Sequence, residues 1–87
     1  MYQNKQVTLA EMKVGQTGVV VEVLGGRGLI RRLDALGIRP GKKVTKLSST
    51  LFRGPAILRV NNAQVAVGFG MARKIIVELD KHLPEAS

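Results

Sequence analysis

Eighty-seven residues without a cysteine supply one domain and exclude a disulfide framework, a thiolate metal site and a cysteine nucleophile together. A net charge of +8, from fourteen Lys and Arg against six Asp and Glu, asks for an acidic partner: nucleic acid, an anionic membrane surface or an acidic protein face. No apolar run approaches the roughly 20 residues of a membrane helix, and Met1 to Lys5 carries no signal-peptide core, so a cytoplasmic chain is expected.

In chain order, Thr8-Leu9-Ala10-Glu11 fits a capping box, with Thr8 as the cap and Glu11 reaching back. Gly15 follows so soon that only about one helical turn fits. Thr17 to Leu24 reads as a strand, in which Val19, Val21 and Val23 alternate with Val20, Glu22 and Leu24. Apolar residues in both phases suit a strand that bends around a barrel. Gly25-Gly26-Arg27-Gly28 breaks it. Leu29 to Leu36 is the best helical pattern, with Leu29, Leu33 and Leu36 at i, i+4 and i+7 and Ile30 widening the stripe. Gly37 supplies a left-handed cap, and Arg39-Pro40-Gly41-Lys42 places Pro and Gly where a type II turn needs them.

Lys43 to Leu47 reads as the next strand, with Val44 turned inward and Leu47 the next inward candidate. Ser48 to Pro55 is a loop with Leu51 and Phe52 at its tip. Ala56 to Val60 and Gln64 to Val67 form a hairpin about Asn61-Asn62, since Asn accepts positive φ. Gly68-Phe69-Gly70 opens a loop, Met71 to Lys74 makes one helical turn, and Ile75 to Leu79 is the last strand. The polar tail, residues 80–87, is expected to fray. The expected fold class is mainly β: a small single-domain barrel, SH3-like or OB-like, of about five strands with one helix inserted after the first. Only Tyr2, Phe52 and Phe69 are aromatic, so Val, Leu and Ile must fill its core.

Catalytic and cofactor motifs fail on inspection. Gly26-x-Gly28 lacks the third Gly of a dinucleotide fingerprint, where Arg31 stands, and no acid follows about twenty residues on. Gly41-Lys42-Lys43 has no Ser or Thr after the Lys, so it is no phosphate loop. His82 is the one histidine, and Glu78 and Asp80 do not complete a ligand set around it. Ser48, Ser49 and Thr50 have no nearby base. No catalytic residue, cofactor or resident metal site is expected.

Charge density is the strongest functional signal. Arg27, Arg31, Arg32, Arg39, Lys42, Lys43 and Lys46 face a single anion, Asp34, within one stretch. A solvated helix face explains such a run as simply as a binding surface does, but its density favours binding. Stacking aromatics are missing, which counts against base-reading nucleic-acid contact and leaves phosphate contact open. Leu51 and Phe52 either anchor a partner or fold back over the barrel end.

The run from Gly28 to Gly41, ending Leu36-Gly37-Ile38-Arg39-Pro40-Gly41, resembles the signature of the FeoA family of ferrous-iron transport accessory proteins. The order of the opening Leu9 to Gly15, the hairpin Ile57 to Val67 and the closing Ala72 to Val77 matches as well. The resemblance implies an SH3-like barrel and a non-catalytic, cytoplasmic accessory of FeoB, the membrane ferrous-iron transporter with a cytosolic GTPase domain. On that basis the partner-binding candidates are Arg27, Arg31, Arg32, Leu33, Arg39, Leu51 and Phe52, with Leu33 equally placed for the core. Gly37, Pro40 and Gly41 are assigned to the structural turn. The site is expected to lie near the membrane without entering it, and exposed edge strands allow weak pairing between copies.

Two departures from the family pattern are visible. Phe52-Arg53-Gly54-Pro55 stands where Leu-Gly-Asp-Pro is usual, and Gly68-Phe69-Gly70 should shorten a helix. The same barrel also closes iron-dependent repressors, but their DNA-binding portion has no counterpart here, so a stand-alone protein is expected. An alternative of another class is a small basic barrel that binds nucleic acid through its phosphates, recognisable by steep salt dependence.

Overall fold

The computed structural model describes residues 5–49 and 54–80. Six antiparallel strands form one sheet: β1 (Gln6–Thr8), β2 (Thr17–Val23), β3 (Lys43–Ser49), β4 (Ala56–Val60), β5 (Ala63–Val67) and β6 (Ile75–Leu79), in the order β1-β6-β2-β3-β4-β5. Helix α1 (Arg27–Ala35) connects β2 to β3, and the four-residue α2 (Phe69–Ala72) connects β5 to β6. The expected mainly-β fold class is therefore found, with one strand more than the sequence suggested. That strand is β1, whose three residues pair with Ile76, Val77 and Glu78 of β6.

The capping box forms as written: Thr8 N–H donates to Glu11 Oε1 at 2.8 Å, and Glu11 N–H donates to Thr8 Oγ1 at 3.2 Å. It holds a single 3-10 turn at Leu9–Glu11 that buries Leu9. In β2 the ladder to β6 shifts register between Val20 and Glu22. This bulge adds one residue and changes phase, so Val20 and Val23, three apart, both reach the core. A second shift between Lys46 and Ser48 leaves Leu47 half-buried at the bulge.

The core is aliphatic. Leu9, Val20, Leu33, Ile38, Val44, Leu58, Val60, Val67, Ile75 and Val77 are fully buried, and no aromatic ring joins them among the described residues. Burying each such side chain contributes about 1.5–3 kcal/mol before the ordering cost.

α1 begins two residues earlier than its apolar pattern, with Gly26 as N-cap and Ile30 N–H donating to the Gly26 carbonyl. It ends in a Schellman arrangement: Gly37 N–H donates to Asp34 O at 2.9 Å and Ile38 N–H to Leu33 O at 2.9 Å. Gly37 has φ +89°, and a Cβ there would stand 3.2 Å from Asn61 Nδ2 and 3.3 Å from Val60 Cγ1. Gly37→Ala is accordingly expected to destabilise the chain by about 1–2 kcal/mol, read as a lower urea midpoint at unchanged slope. Pro40-Gly41 makes the expected turn, with Gly41 at φ +95° and Lys42 N–H donating to Arg39 O. Asn61 and Asn62, at φ 52° and 69°, form the two-residue turn between β4 and β5.

Three expectations are corrected. α2 occupies Phe69–Ala72 rather than Met71 to Lys74, because Gly68, extended at φ −64° and ψ 156°, acts as its N-cap. Ile30 and Leu36 are 41% and 39% exposed, so only Leu29 and Leu33 of the helical stripe face the core. Ile38, brought back by the Gly37 turn, is buried beside Leu33. Lys46, counted among the surface cations, is buried.

Candidate functional site

α1 is held to the barrel by a narrow contact, and most of its circumference faces solvent. At about 100° per residue, Arg27 and Arg31 fall one turn apart on the side opposite Leu29 and Leu33. Asp34 shares that side, Ile30 flanks it, and Arg32 lies about 100° further round from Arg31. Arg27, Arg31, Arg32 and Arg39 are all exposed. Arg39 Nη1 meets Asp34 Oδ1 at 3.2 Å, both side chains about half exposed. An ion pair so solvated contributes little stability. Its effect is to neutralise the one anion in the cluster.

Among the described residues no carboxylate pairs with Arg27, Arg31 or Arg32. The first turn of α1 has no acidic residue, and Gly26 offers no side-chain cap. Arg27 therefore adds to the positive end of the helix dipole rather than offsetting it. Local chemistry leaves this helix end short of negative charge, which an acidic group from outside would supply.

The site residues read from the sequence thus separate. Arg27 and Arg31 come together, Arg39 joins their side through Asp34, and Arg32 stands on the adjacent flank. Leu33 is fully buried and belongs to the core, so its assignment to the contact surface is corrected. Gly37, Pro40 and Gly41 shape the turn that returns the chain to β3. Leu51 and Phe52, and likewise His82, lie outside the described residues. An apolar neighbour of the arginines was missed: Ile30, exposed, flanks their side, while the exposed Leu24 precedes the helix and Leu36 falls on the Leu29–Leu33 side. A nine-residue helix touching the barrel along one line could have signalled this, since its stripe is wider than that contact.

Lys46 is withdrawn from the basic surface and has its own geometry. Strand alternation from Val44 turns it inward, and its Nζ donates to the carbonyls of Leu9 at 3.3 Å, Ala10 at 3.2 Å and Met12 at 2.7 Å. Three ammonium protons meet three acceptors, so the buried charge is fully hydrogen-bonded though unpaired with any anion. Burial lowers its pKa from the ordinary 10.5. Lys46 ties the 3-10 turn to β3 and takes no part in the exposed cluster.

Among the described residues no three His, Cys, Asp or Glu side chains gather as a metal site, and no helix is long and apolar enough to cross a membrane.

Comparison with known proteins bears on the family and the fold. The FeoA domain model matches residues 7–79. A Methanocaldococcus jannaschii protein bearing the name Fe(2+) transport protein A is 34% identical over 70 residues, which cover 80% of this chain and 83% of the relative. The crystal structure of an iron uptake regulatory protein, FeoA, superposes with a TM-score of 0.83 at 34% identity, covering 87% of this chain and all of that one. The zinc complex of Stenotrophomonas maltophilia FeoA, described as an SH3-domain protein, gives 0.70 at 25% identity over 82% of this chain and 88% of that one. A manganese-dependent transcriptional repressor gives 0.81 at 21% identity, covering 92% of this chain and 45% of its own. The last likeness is one of fold, and with the others it identifies the sheet as an SH3-like barrel.

Proposed function

This chain belongs to the FeoA family, and from that premise we propose that it is a non-catalytic accessory of ferrous-iron uptake that docks on the cytosolic part of a FeoB-type transporter. The Arg27–Arg31 side of α1 makes the contact, and an acidic segment of the transporter's cytosolic domain receives it. One observation carries this reading: two unpaired arginines, one turn apart on the solvent side of α1, are flanked by the exposed aliphatic side chain of Ile30.

That mixture suits a protein surface. Arginine supplies forked donors for carboxylates, and aliphatic side chains supply area to bury when water leaves. Phosphate tracking needs the charge but gains nothing from the aliphatic flank, which is why nucleic acid ranks second. For Stenotrophomonas maltophilia FeoA the role suggested is that of a bacterial ferrous iron transport activating factor. An accessory role without chemistry of its own fits the same pattern. Iron is then the transporter's cargo and needs no binding site on this chain.

Arg27→Glu/Arg31→Glu is expected to leave the chain folded with no loss of melting temperature, because both side chains are exposed and a carboxylate in the first turn offsets the helix dipole, and to weaken docking at least about tenfold. Calorimetric titration of the full chain into the transporter's purified cytosolic domain reads this directly, with a nucleic-acid gel shift in parallel. Unaltered affinity of the double variant would remove this face of α1. Binding to nucleic acid alone would overturn the transporter reading and favour the phosphate-binding alternative.

A further inference from the structure

The two edges of the sheet are built differently. β1 is three residues long, follows Lys5, and its Thr8 N–H is already taken by the Glu11 carboxylate. β5 is five residues long, Ala63-Gln64-Val65-Ala66-Val67, with no charge, no proline and no bulge in its pairing with β4. It carries none of the charges, prolines or bulges that blunt a sheet edge, and among the described residues no strand pairs with its outer side.

Its hydrogen-bonding phase follows from the turn. Val60 and Ala63 close a two-residue loop, so the pairs Val60–Ala63, Leu58–Val65 and Ala56–Val67 exchange the ladder bonds of the hairpin. Gln64 and Ala66 therefore direct their N–H and C=O groups away from β4. Among the described residues nothing receives those groups. Both side chains are exposed, and on the opposite face Val65 is half-buried against the core.

We propose that β5 is a self-association edge, on which β5 of a second copy of this chain pairs antiparallel about Val65. In that register Gln64 of each copy faces Ala66 of the other, so the open donors and acceptors of both strands satisfy one another in four hydrogen bonds. Val65 meets Val65 of the second copy across a non-hydrogen-bonded position, where β-branched side chains pack closest. The strand is its own complement, which favours a second copy over an unrelated peptide.

Net charge does not forbid the pairing. The one cation of the β4–β5 hairpin is Arg59, which lies in β4 directly opposite Gln64. Three strand spacings of about 4.8 Å and two residues of about 3.4 Å separate the two Arg59 positions by about 16 Å. That exceeds the roughly 8 Å screening length at physiological salt. A single strand edge buries far less than the roughly 1,200–2,000 Å² of a standard stable interface, so the dimer is weak and concentration-dependent. Nothing in this pairing uses the arginines of α1, so it stands or falls independently of transporter docking.

Sedimentation equilibrium of the full chain, from about 10 μM to about 1 mM, spans the range expected of such a small interface. The average mass should rise from 9.4 kDa towards twice that value. Gln64→Lys/Ala66→Lys sets like charges opposite each other and should stay monomeric; it also sets a cation opposite Arg59 of β4, so a slightly lower melting temperature in a chain that still folds is expected. Gln64→Glu/Ala66→Glu lowers the net charge yet should also stay monomeric, since like charges again face one another. Gln64→Glu/Ala66→Lys sets the introduced carboxylate of each copy against the introduced ammonium of the other. It should associate at least as tightly as the parent, and more weakly in added salt. A mass of 9.4 kDa throughout would overturn the proposal, as would a double-lysine variant that associates like the parent. A mixed-charge variant as monomeric as the double-lysine one would refute the register about Val65.

Discussion

Replacing Lys46 by Met is expected to lower stability by about 2–3 kcal/mol, because a methionine of similar length fills the space and satisfies none of the carbonyls. The carbonyl of Leu9 keeps a second partner, the Met12 N–H at 3.2 Å. Those of Ala10 and Met12 depend on Nζ, and the contact to Met12 is buried. An orphaned buried acceptor costs roughly 1–3 kcal/mol, while release of the desolvated charge returns part of that. For a domain of this length the net loss lowers Tm by about 10–20 °C, a large share of a total stability near roughly 4–13 kcal/mol. A Lys46→Met variant as stable as the parent would mean that burying the charge costs as much as its three hydrogen bonds return.

The same group predicts a pH dependence. Burial holds the folded-state pKa of Lys46 below its unfolded value of 10.5. Between the two values the unfolded chain binds more protons than the folded one, so stability contributed by this group rises with pH across that window. The penalty is fully present below the folded pKa and is gone above 10.5. Urea midpoints of the parent and of Lys46→Met, measured side by side into the alkaline range, isolate it from the other lysines. The gap between them should widen as pH climbs; a constant or shrinking gap would contradict the burial of a charged amine.

Lys46 also marks the boundary of what the sequence reveals. Val44 and Lys46 alternate, which places both on one face, but charge argues for the surface and Leu47 invites the opposite phase. The bulge at Leu47 resolves the conflict, and a bulge has no signal in residue types alone. Features closed by local chemistry were legible: the Thr8–Glu11 box, the Gly37 cap, the Pro40-Gly41 turn and the Asn61-Asn62 turn each need particular residues at particular offsets. β1 was not, since three residues become a strand only by meeting β6. The arginines of α1 were legible as charge. That Arg27 and Arg31 act together, that Asp34 engages Arg39 and that Leu33 is sealed inside required the helix phase and its line of contact. Ile30 and Leu36 read as core because a stripe shows which side is apolar, not how much of it a small barrel can cover.

Gly18→Ala should be the most damaging single-methyl change in the chain. Gly18 lies in β2 where that strand pairs with β3 and β6 at once, opposite Val44 and Leu79. A Cβ there would fall 2.5 Å from Val77 Cγ1, 2.7 Å from the Glu78 carbonyl oxygen and 3.2 Å from its carbon. Val77 is wholly buried, and two of the three atoms are backbone of β6, which no rotamer change can move. The β2–β6 ladder must therefore part, exposing Ile75 and Val77, and the expected loss is about 3 kcal/mol or more. Gly28→Ala is the control of opposite sign. Gly28 lies within α1, nothing stands within 4 Å of its would-be Cβ, and alanine favours the helix by about 0.5–1 kcal/mol. Chemical denaturation of the two variants should move the midpoint in opposite directions. A mild Gly18→Ala would mean that β6 yields at this crossing, and the close approach of the two strands would then not hold the barrel together.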